Sequence, residues 1–156
     1  MTIGETMDAE EIGKKLAAPF DVADLRFKPQ SVKGNRALAL AYISARAVMD
    51  RLDEVVGIDG WKDRYEILKD GCCICRLSLR INGKWITKID VGNPSDQPDE
   101  GDQLKASISD GLKRAAVKFG VGRFLYRMPQ IWHDYDPVKK CFSSPVPIPA
   151  QFRVGF

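Results

Sequence analysis

No stretch of this 156-residue chain approaches the roughly 18 consecutive apolar residues of a membrane-spanning helix, so such a span is excluded. Histidine occurs once, as His133. There is no GxSxG, no HExxH and no phosphate-binding GxxxxGK[ST] loop, which removes the common hydrolase, zinc-protease and nucleotide-triphosphatase signatures. Gly120-Val121-Gly122 lacks the third glycine of a dinucleotide fingerprint and follows a helical pattern rather than a strand. Cysteine is scarce and clustered: Cys72, Cys73 and Cys75 lie together, with Cys141 far away, which is a poor disulfide framework. The first residues carry Glu5, Asp8, Glu10 and Glu11 instead of a charged-then-apolar leader, so a cytoplasmic protein with reduced thiols is expected. Cys72 and Cys75 have CxxC spacing, yet only Cys141 and His133 remain to complete a zinc site, and the segment alternates like a strand. No metal or other cofactor is expected. A strong charge of one sign is also missing: 24 basic against 21 acidic residues give +3, so any case for a polyanionic partner rests on where the charges lie.

With 44% apolar and 29% charged residues, the chain suits one soluble domain over 1–156. A short helix follows Asp8, with acids leading, Lys14 and Lys15 trailing and Pro19 ending it. Residues 21–33 look extended and carry Arg26, Lys28 and Lys33 before a Gly34-Asn35 turn. Ala45, Val48, Met49, Leu52, Val55 and Val56 have helical spacing, closed by Gly57. From Trp61 the period becomes two. Asp70-Gly71 and Asn82-Gly83 are hairpin turns, so three strands form an antiparallel meander. Its expected core rows are Trp61, Tyr65 and Ile67; Cys73, Cys75, Leu77, Leu79 and Ile81; and Trp85, Thr87, Ile89 and Val91. The opposite face then presents Lys62, Arg64, Arg76, Arg80, Lys84 and Lys88 against Glu66 and Asp90. Residues 93–102 form an acidic loop expected to be mobile, and Asp102 is the expected N-cap of a long helix ending at Gly120. The tail from about 144 is proline-rich and expected to be irregular. The fold class is α+β: a three-stranded meander packed on a long helix, with flanking helices and short strands.

Two surfaces could carry chemistry. From Lys105 to Arg127 there are six bases and one acid, Asp110. At about 100° per residue, with Lys113 at zero, the apolar stripe of Leu104, Ile108, Leu112, Ala115, Ala116 and Phe119 spans about 180–300°. Lys113, Arg114 and Lys118 then fall at about 0°, 100° and 140°, and Arg123 and Arg127 follow. A basic helix face together with a basic sheet face suits a phosphodiester backbone, whose counterions such residues release. The plainer reading is a solvated helix and a sheet protected from aggregation by its charges. Asp134 and Asp136 near His133, or the loop acids Asp96, Asp99, Glu100 and Asp102, could serve a metal-dependent nuclease; the plainer reading is that Asp134 and Asp136 shape a turn and that the loop acids lack the spacing of a calcium loop.

The segment Ser109-Asp110-Gly111-Leu112-Lys113-Arg114-Ala115-Ala116-Val117-Lys118-Phe119-Gly120-Val121-Gly122-Arg123-Phe124-Leu125-Tyr126 resembles the signature of the RAD fifty-two superfamily of single-strand annealing proteins, most closely its bacterial DNA damage response protein A (DdrA) type. Ala41-Tyr42-Ile43-Ser44-Ala45-Arg46, Arg51 through Gly57 with Trp61, Leu16-Ala17-Ala18-Pro19-Phe20 and Trp132-His133-Asp134-Tyr135-Asp136 fit in the same order. The resemblance implies a β-β-β-α core and a ring-shaped homo-oligomer that holds single-stranded DNA in a basic groove with its bases exposed, without ATP or metal. It implies that Lys113 and Arg114 grip the backbone, that Tyr42 lies near the groove, and that Lys28 matches a basic position in the preceding strand. Val117 stands where the family has a third helical base, with Lys118 one residue on. Arg76, Arg80 and Arg123 complete the candidate DNA contacts. The expected function is non-enzymatic single-strand binding with annealing or end protection in DNA repair, alone or with other repair proteins. The alternatives are a metal-dependent phosphodiester enzyme and an oligomeric scaffold for an acidic protein.

Overall fold

The computed structural model describes residues 7–153. In chain order its elements are α1 (Ala9–Ala17), β1 (Arg26–Lys33), β2 (Arg36–Tyr42), α2 (Ala45–Val56), β3 (Trp61–Ile67), β4 (Cys73–Ile81), β5 (Lys84–Gly92), α3 (Glu100–Val117), β6 (Ile131–Asp136) and β7 (Cys141–Phe142), with short 3-10 turns between. The described residues divide into two compact units: residues 7–18 with 45–123, and residues 19–44 with 124–153.

The first unit contains the expected meander, ordered β3-β4-β5 and antiparallel throughout, packed on α3. Cys73, Cys75, Leu77 and Leu79 of β4 are fully buried and form the centre of this core with Leu112, Ala115 and Ala116 of α3 and Val48 and Leu52 of α2. The Asn82-Gly83 turn has positive φ at both residues, as a two-residue primed hairpin requires. Such a turn sets Ile81 opposite Lys84, and Leu79, Leu77 and Cys75 then face Ile86, Lys88 and Asp90.

That register overturns the expected third core row. Trp85, Thr87, Ile89 and Val91 pair with Arg80, Ser78, Arg76 and Ile74, on the side of the sheet away from α3. Lys84 and Lys88, expected on that outer face, belong instead to the α3 side. The cause is the strict two-residue period: once the turn places position 84 across from 81, every later residue of β5 has its face assigned.

Gly92 marks the closest approach of sheet and helix. A side chain there would meet the Ser107 carbonyl oxygen at 1.9 Å and the Gly111 nitrogen at 2.5 Å. Ser107, fully buried, donates its hydroxyl to the Gly92 carbonyl at 3.2 Å, while the Cys73 thiol points at the Ser107 carbonyl at 3.0 Å. The α3 arc against the sheet therefore includes Ser107 and Gly111, and Leu104, expected in the stripe, is 39% exposed. The helix also begins earlier than expected. Asp99, not Asp102, is the N-cap, accepting from the Asp102 amide, so Glu100 to Asp102 are helical rather than loop. At the other end of this unit's chain, the Arg51 guanidinium donates to the carbonyls of Lys15, Leu16 and Ala18, which α1 leaves without helical partners.

The second unit is a four-stranded sheet ordered β1-β2-β6-β7. Its strand β2 carries the buried Ala37 and Leu38 and pairs on one side with β1 and on the other with β6. Among the described residues beyond 144 there is no strand or long helix, and the segment is anchored: Val146 and Ile148 are buried, and Phe152 stacks on Phe124, itself stacked on Phe20.

Candidate nucleic-acid interface

In the first unit, the basic residues of α3 divide into two groups. Lys113 is half-buried, and Arg114 is exposed one step around the helix. Arg114 pairs at 3.1 Å with Asp110, whose same oxygen accepts the Asn93 amide at 2.9 Å. The pair is a helical i, i+4 contact with both side chains solvent-accessible, so it contributes about 0.3–0.5 kcal/mol and leaves the guanidinium able to take another anion.

Lys118 and Arg123 are exposed and also make contacts within the unit. Lys118, expected with the outward bases, instead binds the Ile89 carbonyl through its ammonium and lies 3.7 Å from Asp90, both on β5. At about 140° around the helix it falls between Ser107 at about 120° and Gly111 at about 160°, inside the arc that meets the sheet. Lys88 reciprocates: its ammonium donates to the Lys118 carbonyl at 3.0 Å and lies over the Phe119 ring. Arg123 folds back on α3, donating at 2.8–3.1 Å to the carbonyls of Val117 and Lys118. It neutralises the negative end of the helix, a role the sequence signals only by placing an arginine just past the terminal glycines.

The outer face of the β3-β4-β5 sheet holds Arg76 and Arg80, as expected, with Lys62 and Arg64 on β3. Arg76 lies 3.5 Å from Glu66, and Arg80 lies 3.0 Å from Asp59, whose carboxyl is held below its ordinary range by that hydrogen bond and charge. Trp85 is the residue on this face that pattern reading misses. Lys62 lies 4.2 Å from its ring centre and Arg80 5.8 Å.

In the second unit, Tyr42 ends β2 and Lys28 lies on β1, its ammonium 5.3 Å from the Tyr42 ring centre. The two expected contacts are thus neighbours. A second cation–π pair, Lys33 over Trp132, lies on the same sheet and has no local signal in the sequence.

Of the acids considered for catalysis, Asp134 and Asp136 are engaged locally and Asp99 caps α3. Asp134 pairs with Arg36 at 3.2 Å, and Asp136 accepts the amides of Val138 and Lys139 as a turn residue. Among the described residues no three acids, histidines or cysteines converge in a way that could hold a metal ion.

A meander on one long helix, with basic residues on helix and sheet, is what the resemblance implies, and the comparison with known families decides the matter. Residues 8–140 match the model of the Rad52/22 family double-strand break repair protein. The chain belongs to the Rad52/22 family. It is similar to the single-stranded DNA-binding protein DdrA of Deinococcus radiodurans, with 36% identity over 138 residues, covering 86% of this chain and 64% of that protein. It is also similar to the single-stranded DNA-binding protein DdrA of Deinococcus deserti, with 37% identity over 151 residues, 94% of this chain and 72% of that protein. This Rad52/22 family member therefore spans part, not all, of the length of both relatives.

Proposed function

We propose that this chain is a non-enzymatic, single-stranded DNA-binding protein of DNA repair, which promotes annealing or protects DNA ends. What carries this reading is its similarity to two proteins that are themselves named single-stranded DNA-binding proteins. The charge distribution supports it: Lys113 and Arg114 lie on the basic side of α3, while the acids that a nuclease would need serve turns and ion pairs. Lys113 and Arg114 take phosphates, with Lys28 and Tyr42 as the contacts of the second unit and Arg76 and Arg80 those of the sheet. Lys118 and Arg123, exposed at the end of α3, add phosphate contacts there while also fixing the helix end. The chain works as one DNA-binding domain in a ring-shaped homo-oligomer in the cytoplasm, with neither metal nor ATP, and it meets other repair proteins there.

The mechanism needs no bond chemistry. A strand held by its phosphates keeps its bases free to pair, and holding many nucleotides in order reduces the entropy lost when a complementary strand finds register. Affinity should fall with salt, with a log–log slope of about −0.7 per phosphate neutralised. The test is a titration of labelled single-stranded oligonucleotide with wild type and with the Lys113→Ala/Arg114→Ala double variant. Weaker binding and a shallower salt slope in a folded variant are expected. Unchanged binding would remove α3 from the site.

A further inference from the structure

The outer face of the β3-β4-β5 sheet has an unusual composition. Trp85, Ile89 and Val91 are 42–45% exposed there, beside Ile74, and four cations (Lys62, Arg64, Arg76 and Arg80) share the face with one acid, Glu66. Arg64 stands directly across from Arg76 in the ladder. Like charges in that position repel; Glu66 offsets Arg76, and Asp59, just before β3, offsets Arg80, which leaves Lys62 and Arg64 as the surplus. Among the described residues neither Arg64 nor Lys62 has a carboxylate partner. The isolated protein therefore holds surplus positive charge around an exposed indole whose ring is already flanked by two cations.

We propose that this face is a stacking platform for unpaired nucleic-acid bases, with Trp85 receiving a base and Lys62, Arg64, Arg76 and Arg80 receiving the adjoining phosphates. The proposal rests on the single-strand reading above and adds to it a site distinct from the α3 face. An anionic strand relieves the Arg64–Arg76 repulsion, while a base gains the indole face as Lys62 moves from the ring to a phosphate. Ile89 and Val91, four and six residues further along the same face of β5, offer aliphatic surface to the bases of neighbouring nucleotides. A duplex, whose bases are already stacked on one another, could use only the charges. A second copy presenting the same face would bring like charges together. Its acidic 96–102 segment is the part of this chain that could cover the surface instead, and this is an outcome of the test.

The experiment compares wild type, Trp85→Ala, Trp85→Phe and Lys113→Ala/Arg114→Ala on labelled oligothymidylate and on an abasic strand of equal length, with the mass of each free protein measured by light scattering. Trp85→Ala should lose about tenfold in affinity for oligothymidylate, the scale of one base–aromatic stack, and Trp85→Phe should recover most of it. On the abasic strand wild type and Trp85→Ala should bind alike, because only charge remains. Equal binding of oligothymidylate by wild type and Trp85→Ala, with Lys113→Ala/Arg114→Ala weakened, overturns the platform and leaves the single-strand reading intact. No binding by wild type overturns that reading itself. A fall in mass for Trp85→Ala with unchanged affinity per subunit assigns the face to a second copy and also overturns the platform.

Discussion

Gly92→Ala should cost this fold more than its size suggests. The added methyl meets the Ser107 carbonyl oxygen at 1.9 Å, where ordinary contact begins at 3.4 Å, and it meets the Gly111 nitrogen at 2.5 Å. Both obstacles are backbone, so β5 and α3 must separate. Separation strains or breaks the Ser107–Gly92 and Cys73–Ser107 hydrogen bonds, both buried. Over-packing of about 1–3 kcal/mol and about 1 kcal/mol for each hydrogen bond broken predict a destabilisation of about 3 kcal/mol or more. For a chain of this length that is a fall in melting temperature of roughly 6–12 °C. Gly111→Ala is the internal control. Its methyl meets the Cys73 sulfur at 3.0 Å and the Cys75 Cβ at 3.2 Å, contacts that a shift of a few tenths of an ångström relieves, and alanine gains about 1 kcal/mol of helix propensity. Net destabilisation within about 1 kcal/mol is expected. Thermal and urea unfolding followed by circular dichroism measure both. A Gly92→Ala protein as stable as wild type, or one more stable than Gly111→Ala, would refute the description of how α3 docks and thus of what positions Lys113 and Arg114.

Other outcomes follow from individual contacts. Arg123→Ala should lower stability by about 1 kcal/mol, because the last carbonyls of α3 lose a charged donor, and the loss should appear in denaturant unfolding without any DNA present. Asp110→Asn frees Arg114 from the carboxylate it pairs with and should raise affinity for single-stranded DNA a few-fold at low salt, an effect that anisotropy titration reads directly. Burial pushes the Cys75 thiol up to about 11. A raised acid pKa favours the neutral folded form, so its contribution is whole below the unfolded value near 9 and is lost as pH rises from there to about 11. The unfolding free energy should therefore drop over that window, by up to about 2–3 kcal/mol, and less in Cys75→Ser, which denaturant titrations at each pH read. In the native protein a thiol reagent should modify the exposed Cys141 first and spare Cys73 and Cys75 until denaturant is added, as mass mapping of the labelled peptides would show.

The meander, its two turns, α2 and the long helix are legible because each has a strong local period bounded by glycine. The face of β5 is misread because its apolar residues occupy odd positions, and hydrophobicity alone assigns those to the core. The turn chemistry contains the correction. With Asn82 and Gly83 as the whole loop, Trp85 cannot share a face with Ile81. A strand whose alternation contradicts its own turn has an apolar row directed at solvent, and such conflicts between local rules mark candidate functional surfaces. The other misses have different causes. Ser107 and Gly111 are hidden because close helix–sheet packing selects small residues, which carry no hydrophobic signal. The placement of Lys118 and Arg123 depends on backbone carbonyls that no sequence pattern displays. The β2–β6 pairing joins Arg36 to Asp134 across most of the chain, and long-range register of this kind has no local signature. Of the candidate contacts, the Lys28–Tyr42 neighbourhood comes from the family resemblance, since an isolated lysine and tyrosine in extended segments say nothing of each other.

The central claim, single-strand binding without catalysis, is tested most directly by fluorescence anisotropy of a labelled single-stranded oligonucleotide at low and high salt in EDTA, followed by addition of the complementary strand. Binding should weaken steeply with salt, persist in EDTA, leave the oligonucleotide uncut, and either accelerate pairing or shield the strand ends from an added exonuclease. A folded protein that fails to bind, or that acts on the strand only when magnesium is restored, would contradict it.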